Sequence, residues 1–461
     1  MLVSLSELAP KLQTLFTSDA DQAAQDSRFI RRQRKLSGPA FAQALVFGWL
    51  ENPNATVDEL VVSLARCGVT LKPQSLEDRF TPTAAAFFRQ LLLRALDKVL
   101  ATASPTAVAL LRRFRGVFLL DSTLISLPAV LAEVLPGCGG TDNAASCQAS
   151  LKVTVRYELN EGRLEGLNLN PGRTADAVTA LQQAPLPRGA LRLADLGFFD
   201  LGVLHDYDQQ GVYFISRPAP NLTLIDARGR KWKLARYLAR QRRDRVDVWV
   251  KAGAAQRLPC RLLAIRCPAE VAAQRCAKAK QEAQDHGRAI SADRLEVCGW
   301  TVLLSNVPGW LLSLQEAWVL YRVRWQIELL FKLWKSDGQI DESRSEQPYR
   351  VLCEVYAKLL GMVVQHWLLL SCGGAAFSQK SQRKAARAVR KQVAAIATVL
   401  LRTTELVQTL EVMARMVQAA GELRRRKGRP STYQTLLDPD HDGLGSTKRE
   451  DCQQACPVLK P

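Results

Sequence analysis

Residues 117–121 read Val117-Phe118-Leu119-Leu120-Asp121, and this stretch decides how the chain folds. Four successive apolar residues do not alternate, so they predict a strand buried on both faces, as in a sheet covered by helices. Asp121 ends the run. Ala190-Leu191-Arg192-Leu193-Ala194 repeats the pattern, with Asp195 at its end and a turn at Gly197. In open α/β sheets the ligand crevice lies outside the carboxyl ends of strands. Asp121 and Asp195 are therefore candidates to converge there. A single strand-end Asp is more often a turn cap, so the pair gains weight only with a third partner.

The third carboxylate lies in Tyr-Arg-Val-Arg-Trp-Gln-Ile-Glu-Leu-Leu-Phe-Lys-Leu-Trp-Lys, residues 321–335. Tyr321, Arg324, Glu328 and Lys335 stand at spacings that project within a helical stripe of roughly 60°. Ile327, Leu330, Phe331 and Trp334 form the apolar face, and Trp325 is expected in the core. Taken alone, the segment fits an amphipathic helix with a solvated charged side equally well. With Asp121 and Asp195 it fits something more specific. Three carboxylates repel one another unless cations sit between them, and hard oxygen ligands with open positions suit Mg²⁺. Two such ions about 3.5–4 Å apart activate an attacking oxygen and stabilise a leaving one. The chemistry implied is metal-assisted phosphodiester hydrolysis or transesterification, with Arg324 and Lys335 gripping phosphates and Tyr321 donating to one.

On these residues the chain resembles the IS4-type insertion-sequence transposases, members of the DDE superfamily with an RNase H-like catalytic core. The signature Y-x2-R-x3-E-x6-K is filled by Tyr321, Arg324, Glu328 and Lys335 without a gap. Asp121 is followed by Ser122-Thr123, as the first family aspartate usually is by hydroxyl residues. Asp195-Leu196-Gly197 matches the second family turn, although Leu196 stands where many members carry Arg. Asp200 is its rival as a ligand. The resemblance implies an α/β fold: an RNase H-like mixed sheet, a β-rich insertion, and helical regions at both ends. It implies cut-and-paste transposition through a hairpin, with Asp121, Asp195 and Glu328 holding two Mg²⁺ ions (Mn²⁺ substituting). It further implies a homodimer on double-stranded DNA ends and target DNA. Trp300, at a strand start, is most simply a core or rim aromatic; by the resemblance it also occupies the place of a family residue that stacks on a flipped base, with stacking worth about 1–3 kcal/mol. Arg217 is a further candidate DNA contact. Two readings stay open beside this one: a metal-dependent nuclease that cannot join strands, and a non-catalytic regulator that binds DNA ends.

Working outward, the expected organisation is a helical DNA-binding region at 1–110, a core at 111–218 and 300–345, and a β-rich insertion at 219–299. A helical region at 346–437 and a disordered tail at 438–461 complete it. Strand signals fall at 151–159 and 164–169, separated by Asn160-Glu161-Gly162, then at 212–215, 222–225, 246–250, 261–266 and 301–305, with helices at 174–183 and 201–207. Sixty-three Lys and Arg against 44 Asp and Glu give a formal net charge of +19, which favours a polyanionic partner without choosing DNA over RNA. Basic runs lie at 28–35, 240–245, 380–391 and 424–429. Eleven cysteines without a CxxC pair, and four histidines, favour free thiols in a reducing cytosol over a zinc centre. Cys452, Cys456 and His441 are too few for one. No signal peptide is seen and no uninterrupted apolar run approaches a membrane span. A bacterial cytoplasmic location, on the nucleoid when DNA is bound, is expected.

Overall fold

The computed structural model describes residues 5–32, 35–98, 108–138, 148–285, 287, 289–373, 381–420 and 432–437. The basic run at 424–429, Gln33 and Arg34, Lys380, His286, His441, Cys452, Cys456 and the tail from Asp438 lie outside the described residues. The chain divides into two compact units.

The first unit combines residues 1–107, 122–175 and 326–429. Its axis is the helix Pro348–Gly373, apolar on every side and therefore a core helix. The stretch Pro348–Cys372 is long and apolar enough to cross a membrane, yet 94% of its most apolar window is buried inside the protein. A search for an unbroken apolar run passes over it because Glu354 and Lys358 interrupt it. Those two charges are themselves buried and paired at 2.7 Å. Helices Gly38–Glu51, Pro82–Asp97 and Thr403–Ala420 pack on this axis. Ser37 caps the first by accepting from the Ala40 amide, with Pro39 in its opening turn. The N- and C-terminal helical regions, which sequence periodicity treats separately, thus share one core.

Strand β1 (Val117–Leu127) runs through both units, residues 122–127 belonging to the first. There the sheet order is β3-β2-β1, with β2 (Ala149–Glu158) and β3 (Arg163–Pro171). β2 and β3 form an antiparallel hairpin from Leu151↔Pro171 to Glu158↔Arg163. Gly162 takes a φ of 68° in its turn, and the Glu158 carboxylate accepts from the Asn160 and Glu161 amides. β2 alternates only partly in sequence and is buried along both faces; Lys152 is accommodated because its ammonium donates to the Thr174 carbonyl at 2.6 Å.

The second unit combines residues 108–121, 176–325 and the described part of 430–461. Here the order is β1, β4 (Leu191–Ala194), β5 (Tyr213–Ser216), β10 (Trp300–Ser305), β9 (Leu258–Arg266), β8 (Arg245–Ala252), β6 (Thr223–Ile225), β7 (Lys231–Lys233). β4 lies parallel between β1 and β5, and β10 returns antiparallel to β5. Residues 219–299 carry β6, β7, β8 and β9. β9 pairs with β10, so these strands prolong the core sheet. The segment is less purely β than expected. Helices Leu234–Ala239, Ala269–Asp285 and Ala292–Cys298 occupy much of it, the longest being alanine-rich and well suited to helix. The helix expected at 174–183 is reduced to a turn at Asp176–Val178 and a short piece, Ala180–Gln183.

Candidate active site

The parallel pairing of β1 with β4 ends at Leu120↔Ala194. The next residue on each strand is an aspartate, so Asp121 and Asp195 leave neighbouring strands at the same level. β1 does not stop at Asp121, as the sequence suggests. It continues to Leu127, and only its partnership with β4 ends there. Asp195 does end its strand. Its Oδ1 accepts from the Gly197 amide at 2.9 Å, fixing the turn that follows. A Cβ on residue 197 would stand 2.7 Å from Asp176 Oδ2 and 3.3 Å from Asp195 Oδ1. Glycine is therefore required for two carboxylates to crowd this turn. Sequence reading missed Asp176, because a helical period across 174–183 gives no sign that its side chain approaches the turn at Gly197.

Asp200 has a structural task in this turn. Its Oδ1 accepts from the Gly202 and Val203 amides and caps the helix Leu201–Gln209.

Arg324 donates to Asp121 Oδ2 at 2.8 Å, with both side chains mostly covered. The continuous helix expected through 321–335 is interrupted at this residue. One helix spans Leu314–Val323, opened by a Ser313–Glu316 capping box, and the next spans Trp325–Ser336. The Tyr321 hydroxyl is buried close to the guanidinium groups of Arg324 and Arg217 and the carboxylate of Asp195. Burial raises its pKa to about 12. The two arginines oppose that rise and Asp195 adds to it. The phenol is thus held neutral, as a donor. Asp121, Asp195, Arg217, Tyr321 and Arg324 form one charged group within the second unit, with Arg217 its exposed member.

The remaining candidates stand differently. Glu328 is half-buried on the helix Trp325–Ser336, in the first unit. Lys335 donates to the Leu124 carbonyl of β1 at 2.7 Å and lies 3.9 Å from Asp341. Trp325 is 55% exposed, not in the core as expected. Trp300 is the reverse. It is 2% exposed among Val302, Leu262 and Val246, with the Arg266 guanidinium 4.3 Å above its ring. In this conformation it offers no open face to a base. Among the described residues no three His, Cys, Asp or Glu side chains gather as a metal-binding group. The donor chemistry of the Asp121–Asp195 pair still suits a hard cation: carboxylate oxygens where two adjacent parallel strands part, one of them held by Arg324, whose place a metal ion would take.

A mixed α/β sheet with aspartates where two adjacent parallel strands part is consistent with the DDE, RNase H-like class. The Transposase DDE domain family matches residues 112–363, which takes in all eight candidates, and the chain belongs to that family. It is similar to the transposase for insertion sequence element IS231B of Bacillus thuringiensis subsp. berliner, 25% identical over 473 residues and covering 94% of this chain and 96% of that one. The transposase for IS231F of Bacillus thuringiensis subsp. israelensis is 26% identical over 78% of this chain and 79% of its own. That for IS1151 of Clostridium perfringens is 23% identical over 77% and 78%. The IS4-type resemblance drawn from the Tyr-Arg-Glu-Lys signature agrees with these relatives. Transposases act on DNA, and the DDE family depends on divalent metal.

Proposed function

We propose that this chain catalyses cut-and-paste transposition of an insertion sequence, nicking element ends and joining the freed 3′-hydroxyls to target DNA. The observation that carries the reading is the Arg324–Asp121 contact at the point where β1 and β4 part, with Asp195 on the neighbouring strand. Asp121, Asp195 and, from the following helix, Glu328 would hold two Mg²⁺ ions, with Mn²⁺ as a substitute. Bound there, divalent metal supplies an activated attacking oxygen and charge stabilisation at the leaving oxygen. The protein's own groups do the positioning. Arg324, which pairs with Asp121, would grip a phosphate oxygen once metal held that carboxylate. Tyr321, neutral at any working pH, donates a hydrogen bond to the same phosphodiester. Arg217 and Lys335 steady the flanking phosphates as point contacts. Hydrolysis, hairpin formation, hairpin opening and strand transfer are each an in-line attack of an oxygen on phosphorus, so one arrangement serves all four. Two copies would synapse two ends as a homodimer in the cytoplasm.

Asp121→Asn, Asp195→Asn and Glu328→Gln should each abolish end cleavage in Mg²⁺ while leaving end binding intact. Unchanged cleavage in any one removes that residue from the site. Pre-cleaved ends should be joined to a target plasmid; cleavage without joining would replace transposition by simple nuclease action.

A further inference from the structure

The far edge of the second unit's sheet carries a cationic groove that the reading above does not use. It is about 640 Å³ in volume and lined by Thr223, Lys231, Trp232, Lys233, Arg236 and Arg240. Lys231 and Lys233 alternate onto the exposed face of β7, the edge strand. Arg236 and Arg240, four residues apart along the next helix and its cap, line it too. Trp232 lies against two arginines. The Arg230 guanidinium lies 5.4 Å from its ring and that of Arg240 4.7 Å, while its indole N–H donates to Asp226 Oδ2 at 3.0 Å.

The surrounding charge is one-sided. Residues 226–245 contain nine Lys and Arg against two Asp. Both aspartates are engaged. Asp226 accepts from the Arg228 and Arg230 amides, the Arg230 side chain and Trp232, which together depress its pKa to about 2. Asp244 meets Arg266 at 3.0 Å. Edge lysines alone would have a sufficient explanation in blocking strand addition. That explanation does not cover two arginines clamped on an indole, nor a walled groove. Like charges held this close repel, and a polyanion relieves the repulsion. Two guanidinium groups already lie over the indole ring, so the groove is equipped for phosphates more than for stacked bases.

We propose that this groove binds the backbone of duplex DNA without regard to sequence, as a second contact surface beside the reacting centre. The proposal rests on the transposase reading for its choice of polyanion. Full-length protein would be titrated with a 30-base-pair duplex of arbitrary sequence across a KCl series, comparing wild type with a Lys231→Gln/Lys233→Gln/Arg236→Gln variant. The variant should bind more than about tenfold more weakly at moderate salt. Its plot of log affinity against log salt should be shallower by about 2 to 3, since each lost phosphate contact removes roughly 0.9. An element-end duplex should lose affinity by the same factor. Wild-type affinity and slope in a folded variant overturn the groove, as does a loss seen with an RNA duplex but not with DNA. Should the triple variant fail to fold, Lys231→Gln and Lys233→Gln singly should each flatten the slope by about one, and no change in either is equally fatal. Asp121→Asn tests the other reading separately. Cleavage by that variant sinks the catalytic assignment and leaves the groove standing, whereas a wild-type protein that binds neither duplex sinks both.

Discussion

At the scale of the residue, Tyr321 is the most informative side chain. Its hydroxyl is buried near Arg324, Arg217 and Asp195, and its pKa is pushed up to about 12. A group in that state cannot serve as a base, so its use is to donate. Tyr321→Phe removes one hydrogen bond to a charged phosphate, worth about 1.5–3 kcal/mol, and should slow cleavage roughly tenfold to a hundredfold. Because the phenol stays protonated throughout, the pH–rate profile from 6 to 9 should keep its shape in the variant. A lost alkaline limb would instead mean that the phenol titrates during turnover. Much of this neighbourhood was legible in the sequence. An apolar run that stops at an aspartate states both burial and an end, and Asp121 and Asp195 could be found that way. Arg324 was legible as a cation on the Glu328 face but not as the partner of Asp121, since a helical period says nothing about what stands opposite. Trp325, expected in the core, is exposed for the same reason.

At the scale of the element, the helix Pro348–Gly373 shows what holds the first unit together. His366 is buried in it, its Nε2 lies 2.6 Å from the Gly162 carbonyl in the β2–β3 turn, and its ring meets Tyr157 edge-on. Desolvation lowers its pKa from 6.5 to about 4, only partly offset by the Gly162 bond. The folded state therefore holds this imidazole neutral while the unfolded chain protonates it below about 6.5. The stabilisation is complete above 6.5 and is lost as pH falls towards 4, a total on the order of 3 kcal/mol. Urea unfolding at pH 7.5 and pH 5 should show about 2 kcal/mol of that loss in the wild type. His366→Gln keeps a donor for Gly162 without titrating and should lose visibly less over the same interval. Equal losses in both would show that other groups carry the acid sensitivity. The charges of Glu354 and Lys358 made this helix hard to recognise as a core element. In the structure they are useful there: Lys358 donates to the Gln339 and Glu342 carbonyls, and Ser343 donates to Glu354. Both contacts fix the loop that follows the Glu328 helix. Polar side chains that serve a loop remote in sequence read as interruptions when only local pattern is available.

At the scale of the whole molecule, the order of strands and helices could be anticipated from pattern, but the grouping of segments into units could not. Residues 5–97 and 348–420 each show ordinary helical periodicity, and nothing in either names the other as its partner. The net charge of +19 was legible from composition alone, and its consequences have two opposite signs. Without DNA, mutual repulsion among cations destabilises the compact chain. Raising KCl from 50 to 500 mM should therefore raise the melting temperature. With duplex DNA, binding to the folded state adds stability, about 2.7 kcal/mol at a hundredfold excess over Kd. The same salt weakens that binding steeply, because each phosphate neutralised releases a counterion. The DNA-dependent increment in melting temperature should thus shrink as salt rises while the DNA-free value climbs, so the two curves converge. Thermal melts at matched protein concentration, with and without a 30-base-pair duplex, would test this. Parallel curves would mean that DNA is held by contacts other than phosphate pairing. A DNA-free melting temperature that falls with salt would mean that the cations are already neutralised within the fold, by ion pairs such as Arg324–Asp121 and Arg350–Glu77, and that the excess charge is no burden on it.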